Sequence, residues 1–260
     1  MMHGYWLRRY GIEGSYEKLD VTPDQLAGFF DRFRKEGYVG ANVTIPHKIA
    51  VMEHVDRIDD VAKAMGAVNC IWWDDGALVG GNTDALGFIG NLDEQVPGWD
   101  ASAKRAVIQG AGGAARAAAY GLKTRGLEVA LCNRTFSKAE KLAAELGVTA
   151  HARDKLDALL ADADVVVNAT SLGMVGQPPN DIDLSPLKSD AIVYDVVYVP
   201  LETGFLKAAR ARGLRTVDGL GMLLHQGVAG FQRWFDVRPE VTAELRNLLE
   251  DDIRASTPGA

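Results

Sequence analysis

The sequence predicts an α/β fold with two domains, and three observations lead to this prediction. Short apolar runs alternate with amphipathic helical segments between residues 105 and 217, which is typical of a parallel sheet with crossover helices. Residues 66–84 instead hold two apolar runs around the turn Asp74-Asp75-Gly76, which is a hairpin signal. The stretch 97–104 lies between these regions and leads into the second. We therefore expect an N-terminal α/β domain and a Rossmann-like parallel-sheet domain.

Composition narrows the classes of function. With 260 residues the chain can bury a sizeable core, and its net charge of −7 and pI near 5.3 argue against the basic face that nucleic-acid binding requires. No apolar run approaches the roughly 20 residues that span a bilayer, and the N-terminus does not resemble a signal peptide. The histidines show no metal-ligand spacing, and Cys70 and Cys132 are predicted to be core thiols. We expect a cytoplasmic protein with a small-molecule partner, no nucleic acid, no membrane and no metal.

The N-terminal region is predicted to begin with a helix at 3–10 and a strand at 15–21. The next helix begins at Thr22-Pro23-Asp24-Gln25, which supplies an N-cap, a first-turn proline and a capping-box glutamine. A short strand from Val39 then leads into a further helix, with His47-Lys48 at its entrance.

Polar side chains are unusually placed in this strand and loop. Asn42 and Thr44 share one face of the strand, while Lys48 lies where a helix dipole disfavours positive charge. A lysine held at such a point is a candidate acid or base. Taken alone, the position favours an ordinary surface lysine, and the same holds for His47.

The predicted hairpin carries a second polar group. Asn69 lies in its first arm, and Asn82-Thr83-Asp84 follows the second arm, directly before an amphipathic helix at 85–95. Asp84 is therefore a candidate functional carboxylate. It is also a candidate N-cap that stabilises the helix by ~1 kcal/mol, and both roles are compatible.

The segment from 106 to 124 has the pattern of a nucleotide-binding turn. An apolar strand at 106–108 is followed by Gly110 and Gly112, which permit a tight turn and close approach of the backbone to a pyrophosphate. Ala115 fills the third small position of G-x-G-x-x-A. The helix at 113–124 would direct its free N–H groups towards the phosphates.

The following strand, at 127–132, indicates which dinucleotide binds. It ends at Asn133-Arg134-Thr135, where an acidic residue would select NAD, and Lys138 lies one turn into the next helix. A guanidinium and an ammonium can instead pair with a 2′-phosphate, which favours NADP. The alternative is that Arg134 and Lys138 are ordinary solvated charges.

The remaining elements continue the same alternation. Polar and small residues at Asn168-Ala169-Thr170-Ser171 end a strongly apolar strand, at the sheet edge where ligands bind. The predicted helices are 136–146, 153–161, 203–212, 218–234 and 239–253, and the strands are 148–151, 164–167, 191–197 and 214–217.

Taken together in order, these segments resemble the shikimate dehydrogenases nearly from end to end. The motifs that carry the resemblance are Asn42-Val43-Thr44-Ile45-Pro46-His47-Lys48, Gly66-Ala67-Val68-Asn69, Gly81-Asn82-Thr83-Asp84, residues 110–116, Asn133-Arg134-Thr135, Asn168-Ala169-Thr170-Ser171, residues 198–203 and residues 219–226.

The resemblance implies a substrate-binding domain formed by 1–84 and 219–260, and an NADP-binding domain at 85–218 with a linker helix. It further implies that Lys48 and Asp84 are catalytic. The residues implied for substrate binding are Thr44, Asn69, Tyr198 and Gln226, and those for NADP binding are Gly110, Ala111, Gly112, Gly113, Ala114, Asn133, Arg134, Thr135, Lys138, Thr170, Gly219 and Met222.

The activity implied is the reversible, NADP-dependent reduction of 3-dehydroshikimate to shikimate, an aromatic amino-acid precursor, by a monomer or homodimer. A quinate or other polyol-acid dehydrogenase with the same residues is the first alternative. An NADP-binding protein with little catalysis is the second.

The sequence departs from the family pattern at its N-terminus. Family members begin with a strand and a Ser-x-Ser-Pro loop that binds the substrate carboxylate, followed by residues resembling Met2-His3. The sequence starts after that segment, so we expect a truncated chain with unpaired edges in its first sheet.

Overall fold

The computed structural model describes residues 1–257, and these form two compact units. The first unit contains residues 1–84 and 226–245, and the second contains 85–225 and the residues from 246 onwards. The predicted substrate-binding domain included 219–225 and 246–257, which belong here to the second unit. It also included residues 258–260, which lie outside the described residues. The functional domain boundaries therefore stay a prediction.

The first unit is built on a four-stranded sheet in the order β1-β3-β4-β2, in which β2 runs parallel to β4 and the other pairs are antiparallel. The predicted hairpin is present: β3 and β4 are joined by Asp75 and Gly76, both with positive φ, as a tight two-residue turn requires. The elements are α1 (Met2–Arg9), α2 (Leu26–Phe33), β1 (Gly40–Asn42), β2 (Arg57–Ile58), α3 (Asp60–Met65), β3 (Cys70–Asp74) and β4 (Ala77–Gly81).

The core of this unit forms where α2 covers one face of the sheet. Phe30 and Phe33 of α2 pack with Ile71 of β3 and Leu78 of β4, and all four are less than 5% exposed. The hydrophobic face that the sequence predicts for this helix is therefore the buried one.

Two predicted elements of the first unit are absent. Residues 15–21 form no strand, and the polar contact of this segment with the sheet is made by Tyr16, whose hydroxyl accepts a hydrogen bond from Asn42 of β1 at 2.9 Å. A β-compatible segment becomes a strand only when a neighbouring strand pairs with its backbone. No α-helix begins at His47, because residues 45–49 are turns that lead into a 3₁₀ segment, Ala50–Glu53. Lys48 therefore does not lie at the start of an α-helix, and the predicted effect of a helix dipole on it was wrong.

The second unit contains the predicted parallel sheet, with six strands in the order β10-β9-β8-β5-β6-β7. This confirms the α/β prediction. The elements are α4 (Asp84–Gln95, all but its first residue in this unit), β5 (Arg105–Gln109), α5 (Gly113–Thr124), β6 (Glu128–Asn133), α6 (Phe136–Leu146), β7 (Thr149–Ala152), α7 (Leu156–Leu160), β8 (Val165–Asn168), β9 (Ile192–Asp195), α8 (Gly204–Ala211) and β10 (Arg215–Val217), then α9 (Leu220–Phe235) and α10 (Ala243–Ser256), which both units share.

Helices cover both faces of this sheet, and alternate residues of each strand enter two separate cores. Ile108 of β5 packs in the core that includes α5, whereas its neighbour Val107 packs in the core that includes α7 and α8. No helix within residues 1–257 is long and apolar enough to cross a membrane.

One carboxylate links two strands at the amino end of the sheet. Asp164, just before β8, accepts hydrogen bonds from the backbone N–H groups of Lys104 and Arg105 and from Lys188 Nζ, at 2.8–2.9 Å. Burial alone would raise the pKa of Asp164, but these donors outweigh it and hold the pKa below its ordinary value. The carboxylate therefore joins β8 to the start of β5.

We predict that Asp164→Asn lowers the free energy of unfolding by about 1–2 kcal/mol at pH 7, because a charged acceptor of three hydrogen bonds is lost. Since the folded pKa is depressed, this stabilisation is present above the pKa of the unfolded carboxyl group and disappears as the pH falls through the folded pKa. Urea unfolding of both proteins at pH 7 and near pH 3 measures this. An equal difference at both pH values would contradict the charge argument.

Candidate active site

A lysine and an aspartate that are far apart in sequence form an ion pair in the first unit. Lys48 Nζ lies 3.0 Å from Asp84 Oδ2, and the two side chains are 30% and 15% exposed. Both groups therefore remain accessible to a small molecule while being largely shielded from water. The structure thus brings together the two residues that the sequence predicts to be catalytic.

Backbone contacts of the hairpin fix both partners. The Lys48 carbonyl accepts a hydrogen bond from the Val68 N–H at 2.7 Å, which holds the lysine beside the start of β3. Asn82 holds the aspartate, since its Oδ1 accepts from the Asp84 N–H at 2.9 Å and its Nδ2 donates to the Ala67 carbonyl at 2.9 Å. The relative position of the pair follows from the pairing of the two hairpin arms.

Asn69 orients the aspartate. Its Nδ2 donates to Asp84 Oδ1 at 2.7 Å, and its Oδ1 accepts from the Thr83 N–H and hydroxyl at 2.8 and 3.3 Å. Each oxygen of Asp84 therefore has its own N–H donor, Oδ1 from Asn69 and Oδ2 from Lys48. Asn69 is 4% exposed, and one of its amide hydrogens is left for a ligand.

The alternative role of Asp84, as an N-cap, is not observed. Asp84 is itself the first residue of α4, and within residues 1–257 its carboxylate accepts no hydrogen bond from the backbone of that helix. A negative charge in the first turn still interacts favourably with the helix dipole.

The other predicted substrate-binding residues lie outside this hydrogen-bond network. Thr44 follows β1 and is exposed, and Gln226 lies half-buried on α9. Among the described residues, neither side chain hydrogen-bonds to Lys48 or Asp84, and the Thr44 hydroxyl makes a long contact of 3.5 Å with the Ile45 carbonyl. Tyr198 belongs to the second unit, where it is half-buried in the loop after β9.

The predicted nucleotide-binding turn lies in the second unit between β5 and α5. Gly110 has φ of +127°, and a Cβ there would lie 2.7 Å from the Ala169 carbonyl oxygen, so only glycine fits. Gly112 and Gly113 are exposed, with open space around them, and α5 begins without a side-chain cap. Its first N–H groups are therefore available to an anion, as a pyrophosphate requires. Ala111 and Ala114 pack against the core and hold the turn in place.

Two cations lie beyond the end of β6. Arg134 and Lys138 are exposed, and within residues 1–257 neither side chain pairs with a carboxylate. Asn133 closes this turn by donating from Nδ2 to the Thr135 carbonyl at 2.9 Å. The geometry therefore fits a ligand that carries a phosphate at this edge of the sheet.

Three further predicted cofactor residues surround the carboxyl end of the sheet. The Thr170 hydroxyl donates to Asn168 Oδ1 at 2.7 Å and accepts from the Leu172 N–H, so its hydroxyl hydrogen is occupied within its own loop. Gly219 packs directly on the carbonyls of residues 196 and 197, where a Cβ would collide. Met222 is half-buried against the core.

Sequence reasoning assigned no role to several supporting residues. Asn82 and Thr83 lie within the motif Gly81-Asn82-Thr83-Asp84. Their position directly before Asp84 was the feature of the sequence that could have indicated a supporting role. Asp195 ends an apolar strand and is fully buried. Burial raises its pKa to about 6, although hydrogen bonds from Thr203, Val197 and Asn168 oppose the shift. Nothing in its local sequence separates it from an exposed strand-end aspartate.

The described residues contain no group of three or more His, Cys, Asp or Glu side chains placed to hold a metal ion. Cys70 and Cys132 are both buried and unpaired. Burial raises the pKa of the Cys132 thiol to about 11 and that of Cys70 to about 12, so neither is an activated nucleophile.

Comparison with known proteins places the chain among characterised families. Three family profiles match it in order: the shikimate dehydrogenase substrate binding domain over residues 1–71, shikimate / quinate 5-dehydrogenase over 92–175, and the shikimate 5′-dehydrogenase C-terminal domain over 219–243. The shikimate dehydrogenase (NADP(+)) of Azorhizobium caulinodans is 56% identical over 258 residues, which cover 98% of this chain and 92% of that protein.

Solved structures agree with this similarity. The shikimate 5-dehydrogenase of Thermus thermophilus, in complex with NADP(H) and shikimate, is 35% identical with a TM-score of 0.84, and the match covers 98% of this chain and 93% of that one. The quinate dehydrogenase of Corynebacterium glutamicum, in complex with NAD, is 34% identical with a TM-score of 0.84, covering 95% of this chain and 92% of that one. Fold similarity therefore does not separate these two activities.

The two glycines of the turn should respond differently to substitution. We predict that Gly110→Ala lowers the melting temperature by about 4 °C or more, because the new Cβ meets the Ala169 carbonyl and φ is positive. Gly112→Ala is the matched control: it has open space and φ of −97°, so the melting temperature should stay within about 1 °C of wild type. Thermal unfolding monitored by circular dichroism tests both, and equal losses would contradict the steric argument.

Proposed function

We propose that Lys48 and Asp84 are the proton-transfer pair of an NADP-dependent shikimate dehydrogenase, the family to which this chain belongs. The reaction is the reversible reduction of the ring ketone of 3-dehydroshikimate to the hydroxyl of shikimate. The observation that carries the proposal is the 3.0 Å contact of Lys48 Nζ with Asp84 Oδ2, with both side chains partly exposed.

The pair can move the proton that this reaction needs. Reduction of a ketone requires a hydride at carbon and a proton at oxygen, and NADPH supplies the hydride when it is bound. Lys48 holds hydrogens at Nζ; one is donated to Asp84, and the others can reach a substrate oxygen. In the reduction Lys48 donates a proton to the developing alkoxide, and in the oxidation it accepts the proton from the hydroxyl.

Asp84 keeps the lysine in position during this exchange. Its Oδ2 accepts from Lys48, while Asn69 fixes the other oxygen and so the plane of the carboxylate. Its carboxylate pairs directly with the Lys48 amine at 3.0 Å. Asn69 and Thr83 therefore act on the reaction through the orientation of Asp84. We further propose that Thr44, Asn69, Tyr198 and Gln226 contact the hydroxyl and carboxylate groups of the substrate.

The chain's own residues fit NADP. The free N–H groups at the start of α5, reached across Gly112, can bind the pyrophosphate, and the exposed side chains of Arg134 and Lys138 can pair with the 2′-phosphate. We propose that Ala111, Gly113, Ala114, Asn133, Thr135, Thr170, Gly219 and Met222 complete the cofactor site.

A quinate dehydrogenase is the second candidate. One specific observation favours keeping it: the quinate dehydrogenase of Corynebacterium glutamicum matches the chain as closely in fold as the Thermus enzyme does. Its structure contains NAD, whereas the strand end at Asn133 and Arg134 here carries no carboxylate for an NAD ribose. These features favour NADP as the cofactor, and the shikimate activity is favoured by the curated relatives, which are named shikimate dehydrogenase (NADP(+)). Assays with shikimate and quinate, each with NADP and NAD, decide between the two.

The cytoplasm is the compartment we propose, since both cysteines are unpaired thiols and such thiols persist in a reducing compartment. A monomer or homodimer is the proposed oligomeric state.

We predict that Lys48→Ala lowers kcat for shikimate oxidation by about 100-fold or more, because the proton carrier is lost. Binding of NADPH, followed by its fluorescence, should be unchanged. Lys63→Ala is the matched control, since Lys63 also pairs with an aspartate, Asp60, at 3.0 Å but is 62% exposed. Full activity in Lys48→Ala would refute the assignment.

We predict that Arg134→Ala raises the apparent KM for NADP by about 10- to 100-fold, because hydrogen bonds to a charged phosphate are lost, and changes the KM for NAD far less. Lys141→Ala, one turn beyond Lys138 on α6, controls for loss of positive charge alone. Equal effects of Arg134→Ala on the KM values for NADP and NAD would contradict the pairing of Arg134 with the 2′-phosphate.

A further inference from the structure

A buried polar row crosses the carboxyl end of the sheet in the second unit. Gln109 of β5, Asn168 of β8 and Asp195 of β9 pair in register, so their side chains lie on the same face. Their exposures are 5%, 0% and 0%. Gln109 Oε1 has no hydrogen-bond partner within residues 1–257. Buried polar groups cost free energy unless they are hydrogen-bonded, so the partners of Asn168 and Asp195 show what these two side chains hold in place.

The Asp195 carboxylate accepts hydrogen bonds from Asn168, Val197 and Thr203. Oδ1 accepts from Asn168 Nδ2 at 2.9 Å and from the Val197 N–H at 3.0 Å, and Oδ2 accepts from the Thr203 hydroxyl at 2.6 Å. Thr203 also caps α8, because its oxygen accepts from the Leu206 N–H. The loop at 196–203 is therefore tied at both of its ends to one side chain.

Asn168 connects a second loop to the same carboxylate. Its Nδ2 also donates to the Leu172 carbonyl at 3.0 Å, and its Oδ1 accepts from the N–H and hydroxyl of Thr170 at 3.1 and 2.7 Å. The loop after β8 therefore closes around Asn168, whose own orientation is set by Asp195.

The first of these loops also meets the start of α9. Gly219 packs on the carbonyl groups of residues 196 and 197, so closely that a Cβ would overlap them. In the same stretch, the Val197 N–H donates a hydrogen bond to Asp195 Oδ1. Thr170, Tyr198 and Gly219, which come from three separate segments, thus depend on hydrogen bonds that converge on Asp195.

We propose that Asp195 is a positioning residue, which holds the loops at 169–173 and 196–203 so that Thr170, Tyr198 and Gly219 are set for the nicotinamide end of the cofactor and the reacting carbon. This inference rests on the proposed function and adds to it a residue that touches neither substrate nor cofactor.

A role in stability alone does not explain why residue 195 is a carboxylate. Burial raises the pKa of Asp195 to about 6, above its ordinary value, so the folded state binds the proton more tightly than the unfolded state does. Stability is therefore lost as the pH rises through about 6, and an uncharged amide would be at least as stable near neutral pH. An amide, however, turns an N–H towards Thr203 where the carboxylate presents an acceptor.

The test compares Asp195→Asn with wild type in NADP-dependent shikimate oxidation. We expect kcat to fall about 10-fold or more, because the misplaced loops misalign the reacting groups. The KM for NADP should stay within about twofold, since the turn at Gly110 and the cations at the end of β6 are unchanged. Hydrogen exchange should be faster in residues 196–203.

A second pair of variants decides the matter if Asp195→Asn folds poorly. Thr203→Val removes the hydroxyl that donates to Oδ2 and should lower kcat, whereas Thr203→Ser keeps that hydroxyl and should restore it. The matched control is Asp164→Asn, a carboxylate at the opposite end of the same sheet, which should lower the melting temperature and leave kcat and KM unchanged.

Each outcome bears on one claim. An unchanged kcat in Asp195→Asn or in Thr203→Val overturns the positioning role. The role is also overturned if Thr203→Ser loses as much kcat as Thr203→Val does. If wild type oxidises neither shikimate nor quinate, the proposed function fails. The positioning role is then decided by hydrogen exchange alone, and unchanged exchange in residues 196–203 of Asp195→Asn overturns it.

Discussion

A carboxylate at the end of a strand must find hydrogen-bond donors when the protein encloses it, and each unit of this chain is arranged around one such group. Asp84 follows β4 and accepts from Lys48 and Asn69, so it is paired with a partly exposed cation. Asp195 ends β9 and meets only neutral donors, among them Asn168. The same physical requirement thus yields a partly exposed ion pair in one unit and a buried hydrogen-bonded junction in the other.

The parallel sheet could be predicted because its determinants are local. Apolar runs that are buried on both faces, separated by amphipathic helices, allow few other arrangements, and six strands are paired as this pattern implies. The missing strand at 15–21 and the missing helix at His47 show where local information ends. A strand also depends on a partner elsewhere in the chain, and polar residues that favour a helix start favour a turn equally well.

The sequence singled out Lys48 and Asp84, but their contact with each other could not be predicted from it. An aspartate before a helix has the same sequence signal whether it caps that helix or pairs with a distant lysine, and only the hairpin pairing brings Lys48 to Asp84. The support given by Asn82 and Thr83 depends on side-chain direction, which spacing alone does not fix. The burial of Asp195 depends on loops that close over it from other parts of the chain.

Arg134 and Lys138 lie together at the end of one strand and have no carboxylate partners among residues 1–257, whereas Lys48 and Asp84 belong to the other compact unit. Under the proposed function, cofactor choice and proton transfer therefore lie in separate parts of the chain. A few substitutions after β6 would then change which nicotinamide cofactor is used and leave the proposed acid–base pair in place. In that arrangement, redox coupling and substrate chemistry could be altered independently of one another.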